Sequence, residues 1–465
     1  MKDDFFSEQV RKTGDMVKRD VHLFACRGMK LVYDVNSGSL HQVDEPAADA
    51  IELLLQGCAF PEVIASLAER FSRETVQEVL GEIQSLKEKN LLFSAPLTRH
   101  DPGGSAYPLK ALCLLLSQDC NLSCRYCFVR DENTRNALQM PLEVGLRAVD
   151  LLLESESGRH REIDFFGGEP LLNFPVFKET VAYAKKEAGT RGIELTFTLT
   201  TNALLCTEEI VEFLNREGIS VVLSLDGRPA VHDAMRQDRR GRGSYRSALQ
   251  NIRRLLEGRD YRNYYIRGTI TKHNLDFSRD VEHLLDQGFD SLSLEPVVAS
   301  PGEDYALEAG DLPQMEQEYE RLLDLFLDHK AAGKPFLFYH FLVDLGRGPC
   351  LYKRLSGCGA GREYLAVAAD GSLYPCHQFS GRDKYYMGSI MDEKPLQENP
   401  CVETLYEAAR IQRECAGCWA RYLCGFGCAA AVLTQTDGME SNDFLSCALQ
   451  KMRLEKALYL QAAQP

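Results

Sequence analysis

Cys120, Cys124 and Cys127 stand in the segment Asp119-Cys120-Asn121-Leu122-Ser123-Cys124-Arg125-Tyr126-Cys127, a C-x3-C-x2-C spacing. Three thiolates this close can ligate three irons of a 4Fe–4S cubane and leave the fourth iron open to a small molecule. Zinc is the competing occupant, but it normally takes a fourth protein ligand, and none lies nearby in the sequence. A second group of cysteines lies from Cys350 onward: Cys350, Cys358, Cys376, Cys415, Cys418, Cys424, Cys428 and Cys447. A zinc ribbon is the lesser alternative for its C-x2-C pair. The chain has sixteen cysteines and a start, MKDDFFSEQV, without the basic and apolar regions of a secretory signal. Metal or redox chemistry in a cytoplasmic protein is therefore expected, rather than disulfides. Cys26, Cys58, Cys113, Cys206 and Cys401 read as ordinary thiols, Cys113 within a core strand.

These ligands need a scaffold, and between residues 109 and 335 strand and helix patterns alternate. Ala111–Leu116, Glu162–Phe166, Glu194–Leu199, Val221–Leu225, Tyr264–Ile270 and Ser291–Leu294 read as strands. Amphipathic segments separate them, for example Leu142–Leu153 with Pro141 at a first helical position. Six β/α units predict a partial (β/α)6 TIM-like barrel, an α/β fold with a parallel sheet. Such barrels carry their chemistry at the C-terminal ends of the strands. The Cys120 loop follows strand one, Gly167-Gly168-Glu169-Pro170 strand two, Thr200-Thr201-Asn202 strand three, Asp226-Gly227 strand four and Glu295-Pro296 strand six. All of these polar and glycine clusters fall at one rim.

This rim resembles that of radical S-adenosylmethionine (AdoMet) enzymes, in which the amino and carboxylate groups of AdoMet chelate the open iron and one electron releases a deoxyadenosyl radical. The resemblance assigns Gly167, Gly168 and Glu169 to the methionine end, with Glu169 facing its ammonium. Asp226, Ser224 and Asn202 are expected at the ribose, Arg267 at the carboxylate and Tyr126 near the adenine. The C-terminal array runs Cys358-x12-Gly371-x4-Cys376, then Cys415-x2-Cys418-x5-Cys424-x3-Cys428, then Cys447. It resembles the SPASM extension of such enzymes, which carries two auxiliary 4Fe–4S clusters. The resemblance implies Cys358, Cys376 and Cys428 for the first and Cys415, Cys418, Cys424 and Cys447 for the second. Cys350 either completes the first cluster or leaves an iron open for substrate sulfur.

Residues 21–95 read as a separate winged-helix-like domain: short strands at His22–Cys26, Met29–Asp34 and Ser39–Val43, then helices with Val76, Val79, Leu80, Ile83 and Leu86 in register. The proline- and glycine-bearing stretch 94–108 reads as a linker. The helices are acidic and the formal charge is −15, which excludes nucleic acid as the expected partner; no run is long enough to span a membrane.

Over about residues 21–460 the chain is similar to the six-cysteine peptide (SCIFF) maturases, through Asp34-Val35-Asn36-Ser37-Gly38, Phe166 to Leu171, Leu292 to Pro296, Gly348-Pro349-Cys350 through Leu365, and Tyr374 to Phe379. Ala203 departs from the glycine that many relatives carry after the Thr-Asn pair. The resemblance implies a peptide-recognition domain at 21–95 that takes a leader as an added strand, a barrel at 109–335 and a SPASM domain at 336–465. It implies thioether formation between cysteine sulfur and a carbon of a small ribosomally made, cysteine-rich precursor peptide. AdoMet, three 4Fe–4S clusters and a one-electron donor such as flavodoxin or ferredoxin come with it. The acceptor residue and carbon stay open, and no general base is assigned. A sulfatase-maturating enzyme that oxidises one cysteine or serine shares the barrel and tail. A plain iron–sulfur electron carrier would not need the rim motifs.

Overall fold

The computed structural model describes residues 20–96, 108–129, 138–346, 357–397, 399–402, 405, 415, 417–425, 427–436 and 444–463. It opens with a three-stranded antiparallel sheet, β1 (Val21–Cys26), β2 (Met29–Asp34) and β3 (Leu40–Val43), in the order β1-β2-β3. Three helices follow, α1 (Glu45–Leu55), α2 (Phe60–Leu67) and α3 (Arg73–Glu88). Side-chain caps start two of them: Asp44 accepts from Ala47 N at 3.0 Å and Ser72 from Thr75 N at 3.1 Å. Strand alternation splits the small sheet's two faces. Val21 and Val32 pack with Ile51, Val63, Val76 and Ile83 of the helices, whereas Phe24, Cys26, Leu31 and Tyr33 belong to the main core of the molecule.

The central sheet has nine strands in the order β10-β9-β8-β7-β6-β5-β4-β11-β12. In chain order the elements are β4 (Ala111–Ser117), α4 (Leu142–Glu154), β5 (His160–Gly167), α5 (Phe174–Arg191), β6 (Glu194–Thr201), α6 (Glu208–Arg216), β7 (Ser220–Ser224), α7 (Pro229–Met235), α8 (Tyr245–Glu257), β8 (Tyr264–Ile270), α9 (Phe277–Asp286), β9 (Ser291–Pro296) and α10 (Leu312–Ala331). From β4 to β9 every neighbouring pair is parallel, as expected of a partial barrel. Pro141 caps α4 from outside instead of starting it. The helices are amphipathic: α8 buries Tyr245, Ala248, Ile252, Leu255 and Leu256 against the sheet, at roughly 1.5–3 kcal/mol for each large side chain.

The sheet does not stop at β9. β10 (Leu337–Phe338) pairs parallel with β9, and β11 (Tyr364–Val367) pairs parallel with β4, with β12 (Leu373–Tyr374) antiparallel beyond it. Chain beyond residue 336 thus closes onto both edges of the barrel sheet. Short helices α11 (Arg421–Cys424) and α12 (Ala429–Thr436) precede α13 (Phe444–Ala462). The tail also carries an apolar pattern of its own. In α13, Leu449, Leu454, Ala457 and Leu458 are buried, and the helix packs on α10 and the small sheet.

Candidate functional site: two cavities with a common wall

The first cavity lies at the C-terminal ends of the strands. It has a volume of about 180 Å³ and is lined by Cys120, Cys124, Cys127, Tyr126, Gly167, Gly168, Glu169, Asn202, Ser224 and Arg267, among others. Nearly every rim residue singled out from the sequence therefore faces one space. The cysteine loop is laid along residues 235–239: Ser123 N donates to Gln237 O at 2.6 Å, Arg125 N to Met235 O at 2.9 Å, and Arg239 Nε to Cys120 O at 3.1 Å. On its other side it meets the glycine loop, where Gly168 N donates to Ser117 O at 2.7 Å and Glu169 N to Asp119 O at 2.8 Å. A Cβ on Gly167 would sit 2.4 Å from Ser117 O, and one on Gly168 2.2 Å from Asp119 O; Gly167 is also at φ +134°. The two glycines are thus required to dock this loop onto the cysteine loop.

Glu169 is 1% exposed and accepts from Thr201 Oγ1 at 2.8 Å, Asn202 N at 2.9 Å and Leu171 N at 3.2 Å. Burial still pushes its carboxyl up to about 7, so a cation in the cavity would restore its charge. Asn202 Nδ2 donates to Asn121 Oδ1 at 2.7 Å and approaches Cys120 Sγ at 3.7 Å. The Arg267 side chain makes no hydrogen bond or ion pair among the described residues and lines the cavity, as a carboxylate-binding cation should.

Asp226 departs from its expected place at a ribose. It is 1% exposed, and its oxygens are occupied within the protein. Oδ1 accepts from Thr269 N at 3.1 Å, and Oδ2 from Tyr126 hydroxyl at 2.6 Å and Arg236 Nε at 3.1 Å. Three protein donors engage its carboxylate, which braces the wall, and Asp226 is not among the residues that line the cavity. Arg236, whose guanidinium lies 5.4 Å over the Tyr126 ring, was missed from the sequence because a single arginine after a helix gives no periodic or motif signal.

The second cavity, of about 530 Å³, is lined by Cys358, Cys376, Cys415, Cys418, Cys424, Cys428 and Cys447. The thiols fall into two electrostatic groups. Burial, chiefly, pushes Cys376 up to about 12, with Cys428 and Cys358 as its thiol neighbours; Cys424 is raised to about 11, with Cys447, Cys418 and Cys415 as neighbours. Cys120 is raised to about 12, again mainly by burial. Thiols held so far from ionisation need a metal's positive charge to become ligands. Among the described residues, no three His, Cys, Asp or Glu side chains form the close donor set of a single metal ion. The thiols instead ring cavities, which suits clusters whose irons each take one thiolate. Cys350 lies outside the described residues.

The two cavities share a wall of Arg267, Glu295, Pro296, Val298, His377 and Gln378. Glu295 ties it to the tail: Oε1 lies 3.1 Å from His340 Nε2 and Oε2 3.7 Å from Arg453 of α13. Burial opposes its charge, but these partners outweigh it and hold the carboxyl well below its usual range. His377, stacked on Phe166 at 4.7 Å, is pushed down to about 4 by burial and then by the Arg267 charge, so it is neutral. Neither His377 nor Gln378 was read as a site residue, since their role depends on the C-terminal chain folding back over the barrel.

Residues 114–276 match the family model described as the radical SAM superfamily. This stretch is similar to radical SAM domains. The radical SAM family binds AdoMet and a 4Fe–4S cluster, and Cys120, Cys124 and Cys127 all fall within the matched residues. The chain is 27% identical over 346 residues to a cysteine-type anaerobic sulfatase-maturating enzyme of Clostridium novyi, covering 69% of this chain and 88% of that protein. A solved structure of the sulfatase-maturating enzyme anSMEcpe with bound AdoMet shares the fold, with a TM-score of 0.62, 23% identity, and coverage of 77% of this chain and 100% of the other. Streptococcus suis SuiB bound to its precursor peptide SuiA aligns over 90% of this chain and 97% of its own, with a TM-score of 0.50 and 18% identity. Among the described residues no helix is long and apolar enough to cross a membrane.

Proposed function

We propose that this radical SAM enzyme is a maturase of the six-cysteine-peptide type, forming thioethers between cysteine sulfur and a carbon of another residue in a ribosomally made precursor. The observation that carries the reading is the wall common to the two cavities. A peptide carbon on one side of it and a peptide cysteine on the other would lie in adjoining space. When bound, the Cys120 cluster and AdoMet supply a hydrogen-abstracting radical. Around them Glu169 and Arg267 orient the methionine end, and Ser224 and Asn202 line the remaining side. Cys358, Cys376 and Cys428, with Cys350 as a further donor, would hold the auxiliary cluster nearer the substrate sulfur. Cys415, Cys418, Cys424 and Cys447 would hold the second, toward a flavodoxin- or ferredoxin-type donor.

The domain at 21–95 suits leader binding because β3 is an edge strand that can pair with an added one. SuiB, captured with its precursor peptide, supports a peptide partner. The sulfatase-maturating relatives favour a second reading, oxidation of one cysteine or serine without a crosslink.

Mass analysis separates the two. Turnover of a leader-bearing six-cysteine peptide, followed by thiol alkylation and fragmentation, should show two hydrogens and one alkylatable thiol lost per link, with fragments joined across it. An aldehyde with no joined fragments would contradict thioether formation.

A further inference from the structure

The floor of the larger cavity holds an acidic residue that none of the cofactor assignments uses. Asp164 on β5 lines this cavity together with Arg267, Glu295, Tyr364 and His377. Its position follows from strand alternation: Ile163, Phe165 and Gly167 are buried, while Glu162, Asp164 and Phe166 occupy the other face of the strand. Along that face Glu162 is exposed and Asp164 is partly enclosed. Thr198 on β6 connects the two. Thr198 is the cross-strand partner of Asp164, and its Oγ1 donates to Glu162 Oε1 at 3.2 Å.

We propose that Asp164 is the catalytic base that takes the substrate cysteine's thiol proton, and that Glu162 and Thr198 pass it to solvent at the N-terminal end of the barrel. The inference rests on the thioether reading above, which needs a thiol proton to leave the cavity. In the transfer the S–H bond breaks, its electron pair stays on sulfur, and an O–H bond forms on Asp164. The proton then moves to Glu162 and to bulk water, so no oxidant or reductant takes part.

The surroundings match this task. Burial first, then the Glu162 charge, pushes the Asp164 carboxyl to about 7. That lies much nearer a thiol's ordinary value of about 8.5 than a free aspartate's of about 3.9, so the transfer is less uphill. The other groups whose ionisation responds to the Asp164 charge are acids: Cys113 on β4, Tyr265 on β8 and Tyr364 on β11. Burial raises all three, which leaves them neutral. Arg267 is a cation on the same cavity surface.

The test uses the iron-loaded enzyme and a synthetic leader-bearing peptide with six cysteines, and reads crosslinked product per deoxyadenosine against pH. In the wild type this ratio should rise with pH through about 7 as Asp164 ionises. Asp164→Asn should lower it by about 100-fold, a typical cost of losing a general base, with iron content retained and partial rescue by Asp164→Glu. Glu162→Gln, at an exposed position, removes the charge that raises Asp164 and should shift the acid limb to lower pH. Infrared difference spectra of wild type against Asp164→Asn, without peptide, should show a carboxylic acid carbonyl band titrating near 7. A wild-type ratio in Asp164→Asn, an acid limb unmoved in Glu162→Gln, or the absence of that band would each overturn the assignment. The wild-type product's mass independently reports whether the thioether reading stands, so the two failures are distinguishable.

Discussion

The two cavities are built in opposite ways. Around the first, the protein completes its own geometry: the cysteine loop is pinned by Gln237, Met235, Arg239 and the glycine loop, and Tyr126 and Arg236 are tied to the buried Asp226. Around the second, seven thiols line a larger space, carried on short elements such as β12, α11 and α12. Regular strands can hold loop ends in place before any cofactor arrives, whereas the C-terminal thiols face a space of about 530 Å³. We infer that the barrel rim is preorganised and that, with the proposed clusters on these thiols, the C-terminal cavity would draw a large part of its order from metal.

The strongest challenge to this contrast is Gly168→Ala. Its new methyl would lie 2.2 Å from Asp119 O, backbone that cannot swing aside, so the glycine and cysteine loops must separate. AdoMet cleavage should fall by at least about 100-fold, as expected when reacting groups are misplaced by about 1 Å. The C-terminal cysteines should keep their iron. Iron analysis and a deoxyadenosine assay check both halves, and near-normal cleavage would mean that the rim is not preorganised as described.

A smaller effect is expected at Ala203. This residue is 0% exposed and adopts φ +63°, a left-handed conformation that costs a non-glycine residue roughly 1–2 kcal/mol. Its N–H donates to Thr201 Oγ1 at 3.0 Å, within the turn that positions Asn202. Ala203→Gly should therefore stabilise the holoenzyme by up to about 1 kcal/mol, with AdoMet affinity unchanged. Anaerobic thermal unfolding and an AdoMet titration measure the pair.

Much of the barrel was legible because its signals are local. Strand runs such as Tyr264–Ile270 and rim motifs such as Gly167-Gly168-Glu169 carry their meaning within a few residues. The partition between the cavities was not legible. His377, Gln378 and Arg236 act through chain that returns from far away in sequence, and neither β10 nor β11, at two and four residues, has enough length to show a period. Asp226 was read at a strand end with a ligand role, and the sequence does not show that Tyr126, Arg236 and Thr269 also engage its oxygens.

The contrast between a self-completed rim and a metal-dependent tail is tested most directly by iron content and Mössbauer spectra of the anaerobically reconstituted wild type and a Cys120→Ala/Cys124→Ala/Cys127→Ala variant. The wild type should hold on the order of twelve irons in cubane form. The variant should keep about two thirds of them, cleave no AdoMet, and retain the far-ultraviolet dichroism of the folded barrel. A variant that loses all its iron, or a wild type with one cubane and stoichiometric zinc, would contradict the assignment of two further clusters to the C-terminal cavity.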